Sequence, residues 1–164
     1  MNITLVFAES INHVIGLNDS IPWYFSEDLK HFKEITNNHA IIMGYGTWES
    51  LPHKPLPNRL NIVVSKNHHN DIKDDSVWCN TIEEAVEVAK TYAMKNNQDE
   101  IFITGGENIL AQTLDIANKA KISRINLEIE GDKFAPDLEV NGWHILHEEK
   151  CPEVPDLRFI EFAK

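Results

Sequence analysis

Positive charge is in short supply in this chain. Its 164 residues hold 15 lysines and arginines against 26 aspartates and glutamates, a formal net charge of −11. So acidic a surface repels phosphate backbones and argues against non-specific nucleic-acid binding. It also obliges an anionic ligand to find a local cation. Cysteine is nearly absent: Cys79 and Cys151 are too few for a disulfide framework and lack metal-site spacing. The histidines are scattered, with His68 and His69 adjacent and His144 and His147 on opposite faces of an expected strand. No metal centre is expected from them. Long apolar runs are missing too, and none approaches the roughly 20 residues a membrane-spanning helix needs. The opening residues have a short apolar core without a basic flank, the pattern of a strand and not of a signal peptide. The expectation is a cytoplasmic monomer, 1–164 forming one domain, with no membrane or nucleic-acid partner.

What is present is an alternation of strands and helices. Strands are predicted at 3–8, 40–43, 61–65, 77–79, 100–104, 120–129, 143–150 and 157–162. Helices are predicted from Ser26 to about Asn37, briefly after Gly44, from about Ile82 to Asn96, and over 108–114. Thr81-Ile82-Glu83-Glu84 fits a capping box, with Ala85, Val88, Ala89 and Tyr92 turned inward behind it. Residues 51–58 carry Pro52, Pro55 and Pro57 and cannot be regular structure. Residues 9–25 form a loop long enough to be a functional lid. Helical crossovers between strands predict an α/β fold. It is a mostly parallel central sheet of about eight strands with an antiparallel C-terminal edge, flanked by four helices.

The chain is organised around the stretch from Ile21 to Lys33. Ser26 is a plausible N-cap, and Glu27 and Asp28 suit the positive end of the helix dipole. Leu29, Phe32 and Ile35 make the apolar side. Asp28 lies one turn from Phe32, which puts a carboxylate at the edge of that stripe. An ionised carboxylate there needs a partner if it is buried. From this window alone, a wet first-turn acid and a ligand anchor are both open readings.

Two strand–glycine–helix junctions follow, at Gly44-Tyr45-Gly46-Thr47 and at Gly105-Gly106. Each lets a backbone approach closely beside a helix N-terminus, a pair of cradles suited to a ligand with two phosphates. Ligands of open α/β sheets sit at that edge. Neither junction is a GxGxxG or Walker motif, and a tight turn is the simpler reading of either one alone.

The order of motifs resembles the bacterial dihydrofolate reductase family over essentially the whole chain. The matching pieces are Val14-Ile15-Gly16; Ile21-Pro22-Trp23 with Asp28-Leu29 and Phe32-Lys33; Ile42-Met43-Gly44; and Thr47-Trp48-Glu49-Ser50. Further along come Pro55-Leu56-Pro57 with Arg59; Asn61-Ile62-Val63; Gly105-Gly106; and Glu130-Gly131-Asp132 with Pro136-Asp137. The resemblance implies reduction of 7,8-dihydrofolate to tetrahydrofolate by hydride transfer from NADPH, and binding of antifolate inhibitors. It implies that Asp28, with Ser123 donating a hydroxyl to it, anchors the pterin among Val6, Leu29, Phe32, Leu51, Leu56 and Thr104. Arg59 is implied to pair with the substrate's glutamyl carboxylate. A proton is implied to reach the pterin through water near Trp23 and the lid.

For the cofactor the resemblance implies contacts from Ala8, Ile15, Gly16 and Ile21 on the lid side. Gly44, Tyr45, Gly46 and Thr47 are implied at one junction, and Gly105, Gly106, Glu107, Asn108 and Ile109 at the other. Gly131 and Asp132 would brace the closed lid. The chain also departs from the family. Tyr45 and Gly46 stand where cations are common, as does Asn108, which leaves Ser65 and Lys66, with His68 nearby, for the 2′-phosphate. NADPH over NADH is expected, with a smaller preference than usual. Leu110 replaces a common tyrosine and Thr104 an aliphatic residue. Two other readings stay open: a reductase of another pterin or a flavin precursor, and a non-catalytic folate- or nucleotide-binding protein.

Overall fold

The computed structural model of the chain describes residues 1–18, 25–67 and 76–164. The first half runs β1 (Asn2–Ser10), β2 (Val14–Gly16), α1 (Ser26–Thr36), β3 (Ala40–Gly44), α2 (Tyr45–Ser50), β4 (Leu60–Val64) and β5 (Ser76–Cys79). The second runs α3 (Ile82–Lys95), β6 (Glu100–Gly105), α4 (Glu107–Thr113), β7 (Lys119–Ile125), β8 (Lys133–Phe134), β9 (His144–Lys150) and β10 (Leu157–Ala163). Among the described residues, eight strands form one sheet in the order β5-β4-β3-β6-β1-β7-β10-β9. Pairing is parallel from β5 to β7 and antiparallel at β7–β10 and β10–β9. The predicted architecture is therefore the observed one.

Strand alternation sorts the core onto two faces. Val6, Ile41, Met43, Val63 and Phe102 face one side, packed with Trp48 of α2 and with Phe32 and Ile35 of α1. Leu5, Ile42, Ile62, Ile101 and Ile103 face the other, against Ala85, Val86 and Ala89 of α3 and Leu110 of α4. No described helix is long and apolar enough to cross a membrane. Thr81 caps α3 as its sequence predicts, its Oγ1 accepting from the Glu84 amide at 3.1 Å. Glu84 reaches back one residue further than a capping box requires, to the Asn80 amide at 3.2 Å.

Three local expectations need correction. Phe25, not Ser26, is the N-cap of α1, with no side-chain cap bond. The Ser26 hydroxyl donates to Glu27 instead, and the Phe25 carbonyl accepts from the Asp28 and Leu29 amides. Leu29 is not in the apolar stripe and is 47% exposed. The buried or half-buried line is Asp28, Phe32, Ile35 and Thr36, and Leu29 sits roughly 100° round the axis from Asp28. The strand predicted to Ile129 ends at Ile125, because the Leu127 amide folds back to the Ile125 carbonyl and the Asn126 amide bonds Asp156.

The expected long loop is partly structured. β1 continues to Ser10, and β2 pairs with β8 in a separate two-stranded ribbon. Residues 11–18 are fastened along residues 127–135: Ile11 N–H to the Leu127 carbonyl, Asn12 to the Ile129 backbone in both directions, and Ala135 N–H to the His13 carbonyl. Gly131 permits the closest approach. A Cβ there would come within 2.1 Å of Val14 Cγ1 and 2.7 Å of the Gly16 carbonyl oxygen.

Candidate active site

The C-terminal ends of β1, β3, β4 and β6 open into one cavity of about 710 Å³. Ala8, Gly44, Val64 and Thr104 form its floor from those four strands. Tyr45, Gly46 and Thr47 line one wall, and Gly106, Glu107, Asn108 and Ile109 the other. Ile15 and Gly16 close it from the β2 ribbon. The two glycine junctions are thus brought together, as the sequence predicts. Their contact is direct: a Cβ on Gly44 would lie 3.0 Å from Ile109 Cγ1, so a side chain there would require the Ile109 side chain to give way.

Of the expected cofactor residues, Ser65, Lys66 and Gly105 do not line this cavity. Ser65 is buried just past β4, its amide donating to the Cys79 carbonyl, and Lys66 is exposed beside it. Ile21 and Trp23 lie outside the described residues, as does His68. Residues not anticipated also line the cavity: Phe7, Glu49, Ser50, Val64 and Lys133. Glu49 accepts from the Tyr45 hydroxyl at 2.7 Å, and Glu107 Oε2 accepts from the Phe134 amide at 2.6 Å.

On the α1 side, Asp28 is 9% exposed, in the first turn of a helix that packs on β1. Val6, Phe32, Leu51 and Leu56 share one apolar cluster on that face. Leu29, expected in that pocket, points outward. Ser123 is buried on β7 directly across from Ala8 of β1. Arg59 has its guanidinium 5.9 Å from the centre of the Phe32 ring, donates to Thr36 Oγ1 at 3.1 Å and to the Pro57 carbonyl at 2.9 Å. Burial pushes its pKa below the usual value, and no carboxylate among the described residues pairs with it.

At the end of β1 an ionic cluster surrounds one buried carboxylate, an arrangement that no local sequence pattern signals. Glu9 is 1% exposed, 2.7 Å from His13 Nδ1 and 3.4 Å from Arg124 Nη2. His13 Nε2 lies 3.3 Å from Asp137, and Arg124 Nη1 3.6 Å from Glu139. Burial pushes the Glu9 carboxyl above the ordinary carboxylate range, with Arg124 and His13 pulling against it. The cluster ties the start of the β2 ribbon to β7.

A family model described as dihydrofolate reductase matches residues 2–163. The chain belongs to the dihydrofolate reductase family. A dihydrofolate reductase of Buchnera aphidicola subsp. Acyrthosiphon pisum is 43% identical over 152 residues, covering 92% of this chain and 89% of that protein. One from Neisseria meningitidis is 35% identical over 144 residues, 87% of this chain and 84% of the relative. One from Bacillus subtilis is 30% identical over 148 residues, 90% and 83% respectively. Membership in the dihydrofolate reductase family implies a nicotinamide cofactor, and the cavity fits one. It is roomy enough for a dinucleotide's reactive end and diphosphate, and glycines at Gly44, Gly46 and Gly106 let backbone amides line it.

Proposed function

We propose that this protein reduces 7,8-dihydrofolate to 5,6,7,8-tetrahydrofolate with NADPH as the hydride donor, acting as a monomer in the cytoplasm. The observation that carries the reading is a buried carboxylate, Asp28, on the helix that packs against β1, whose Ala8 end opens into the dinucleotide-sized cavity. When bound, the cofactor supplies a hydride to C6 of the pterin, and a proton is taken up at N5.

Asp28 holds the substrate. Its two oxygens match the paired N–H donors on the far edge of the pterin, a fork-to-fork contact. That grip places N5 away from the carboxylate, so Asp28 orients and polarises the ring and the proton arrives through water at the lid side, near Trp23. Ser123, opposite Ala8, supplies a hydroxyl to the same carboxylate. Val6, Phe32, Leu51 and Leu56 exclude water around the ring and the benzoyl group, with Thr104 at the cavity floor beside them. Arg59 is braced by Thr36 and Pro57 and meets the substrate's carboxylate tail.

For the cofactor, Ala8, Ile15 and Gly16 face the nicotinamide end, and the two glycine junctions face the diphosphate. Lys66 and Ser65 meet the 2′-phosphate. Cofactor oxidation with and without dihydrofolate tests the proposal. Dihydrofolate-dependent oxidation with tetrahydrofolate as product is expected. Oxidation independent of dihydrofolate, or none, would overturn it.

A further inference from the structure

An acidic chain that lacks cations at Tyr45, Gly46 and Asn108 still has to accept a dinucleotide's diphosphate. Lys133 is the one cation among the described residues lining the cavity. It stands on β8, directly across the ribbon from Gly16. The ribbon is placed by bonds on both sides. The Asp132 amide donates to the Gly16 carbonyl at 2.9 Å, and Asp132 Oδ2 accepts from the Asn18 amide at 3.1 Å. The Phe134 amide, next to Lys133, donates to Glu107 at the first residue of α4. Lys133 is therefore held between the lid's base and the Gly105-Gly106 junction. No carboxylate among the described residues lies within ion-pair distance of its ammonium. The two acids in the wall, Glu49 and Glu107, are instead occupied by the Tyr45 hydroxyl and the Phe134 amide.

We infer that Lys133 is the cofactor's diphosphate-binding cation, supplied by the β2–β8 ribbon in place of the cations missing from the two glycine junctions. The inference rests on the proposed use of a nicotinamide dinucleotide. A diphosphate is common to NADPH and NADH, so Lys133 strengthens both, whereas Lys66 strengthens only the one with a 2′-phosphate. Because Lys133 and Gly16 share one ribbon, the same contact draws the lid's base toward the bound dinucleotide.

Calorimetric titration of the substrate-free protein with NADPH and with NADH, at several salt concentrations, tests this. Lys133→Gln keeps a long polar side chain and removes the charge. It should weaken both cofactors by a similar factor, about three- to tenfold, and flatten the salt dependence of binding. Lys133→Arg should bind like the unaltered protein. Lys66→Ala should weaken NADPH alone. Unchanged affinities in Lys133→Gln would overturn the inference, as would a loss confined to NADPH, which would move the lysine to the 2′-phosphate. Failure of the unaltered protein to bind either dinucleotide would overturn the proposed function and this inference with it.

Discussion

His31 lies face to face with Phe159, ring centroids 3.8 Å apart and planes 21° from parallel. His31 is one helical turn from Asp28, and Phe159 pairs across β10 and β7 with Ser123. The stack therefore fastens the anchor helix to β10, the strand paired with the one that carries the anchor's proposed hydroxyl neighbour. Burial pushes the imidazole below its ordinary pKa and Lys121 adds to this, while Glu34 and Glu149 oppose it.

The sign of the pH effect follows. With a lowered folded-state pKa, the unfolded chain binds the proton first as pH falls through about 6.5. Stability should be full above that value and decline below it. His31→Phe keeps the stack and removes the proton. Urea unfolding at about pH 5.5 and 7.5 should show a smaller acid-side loss in His31→Phe than in the unaltered protein.

The Glu9–Arg124 pair makes a prediction of non-additivity. Arg124→Met leaves a carboxylate that is 1% exposed with His13 as its remaining neighbour in the cluster. The expected loss is about 3 kcal/mol. Adding Glu9→Leu removes the stranded charge and should restore most of the stability. Chemical denaturation of the two single variants and the double variant checks this. A double variant as unstable as the sum of the singles would contradict it.

Thr81→Ala separates folding from function. Loss of the α3 cap should cost about 1 kcal/mol, measured by denaturant midpoint. Turnover at a temperature where the variant is folded should be unchanged, because α3 packs on the sheet face away from the Asp28 helix.

Local patterns were legible in the sequence and non-local pairings were not. The Thr81 cap, the buried strand of β3 and the glycine junctions all follow from residues within a few positions of one another. The β2–β8 ribbon joins three residues to two across more than a hundred positions, too short for periodicity to register. Lys133 consequently carries no sequence signal beyond the Gly131-Asp132 turn before it. Glu9 reads as the first polar residue of a loop, because only the fold brings Arg124 beside it. Leu29 misled for the opposite reason. Its apolar side chain suggested burial, but the helix turns Asp28 inward and leaves Leu29 in water.

The 2′-phosphate contact is tested by the ratio of kcat/KM for NADPH to that for NADH. Lys66→Ala should lower this ratio by about threefold to tenfold, the scale of one exposed charge contact. An unchanged ratio would remove Lys66 from the cofactor site.

The central claim is that the buried carboxylate of Asp28 anchors the pterin. The most direct measurement is dihydrofolate-dependent NADPH oxidation by Asp28→Asn at neutral pH, alongside calorimetric binding of NADPH to the same variant. An amide retains one acceptor oxygen but loses the charge and the second. The expected result is a fall in kcat/KM for dihydrofolate of about a hundredfold or more, with NADPH affinity unchanged. Full activity in Asp28→Asn would contradict the account.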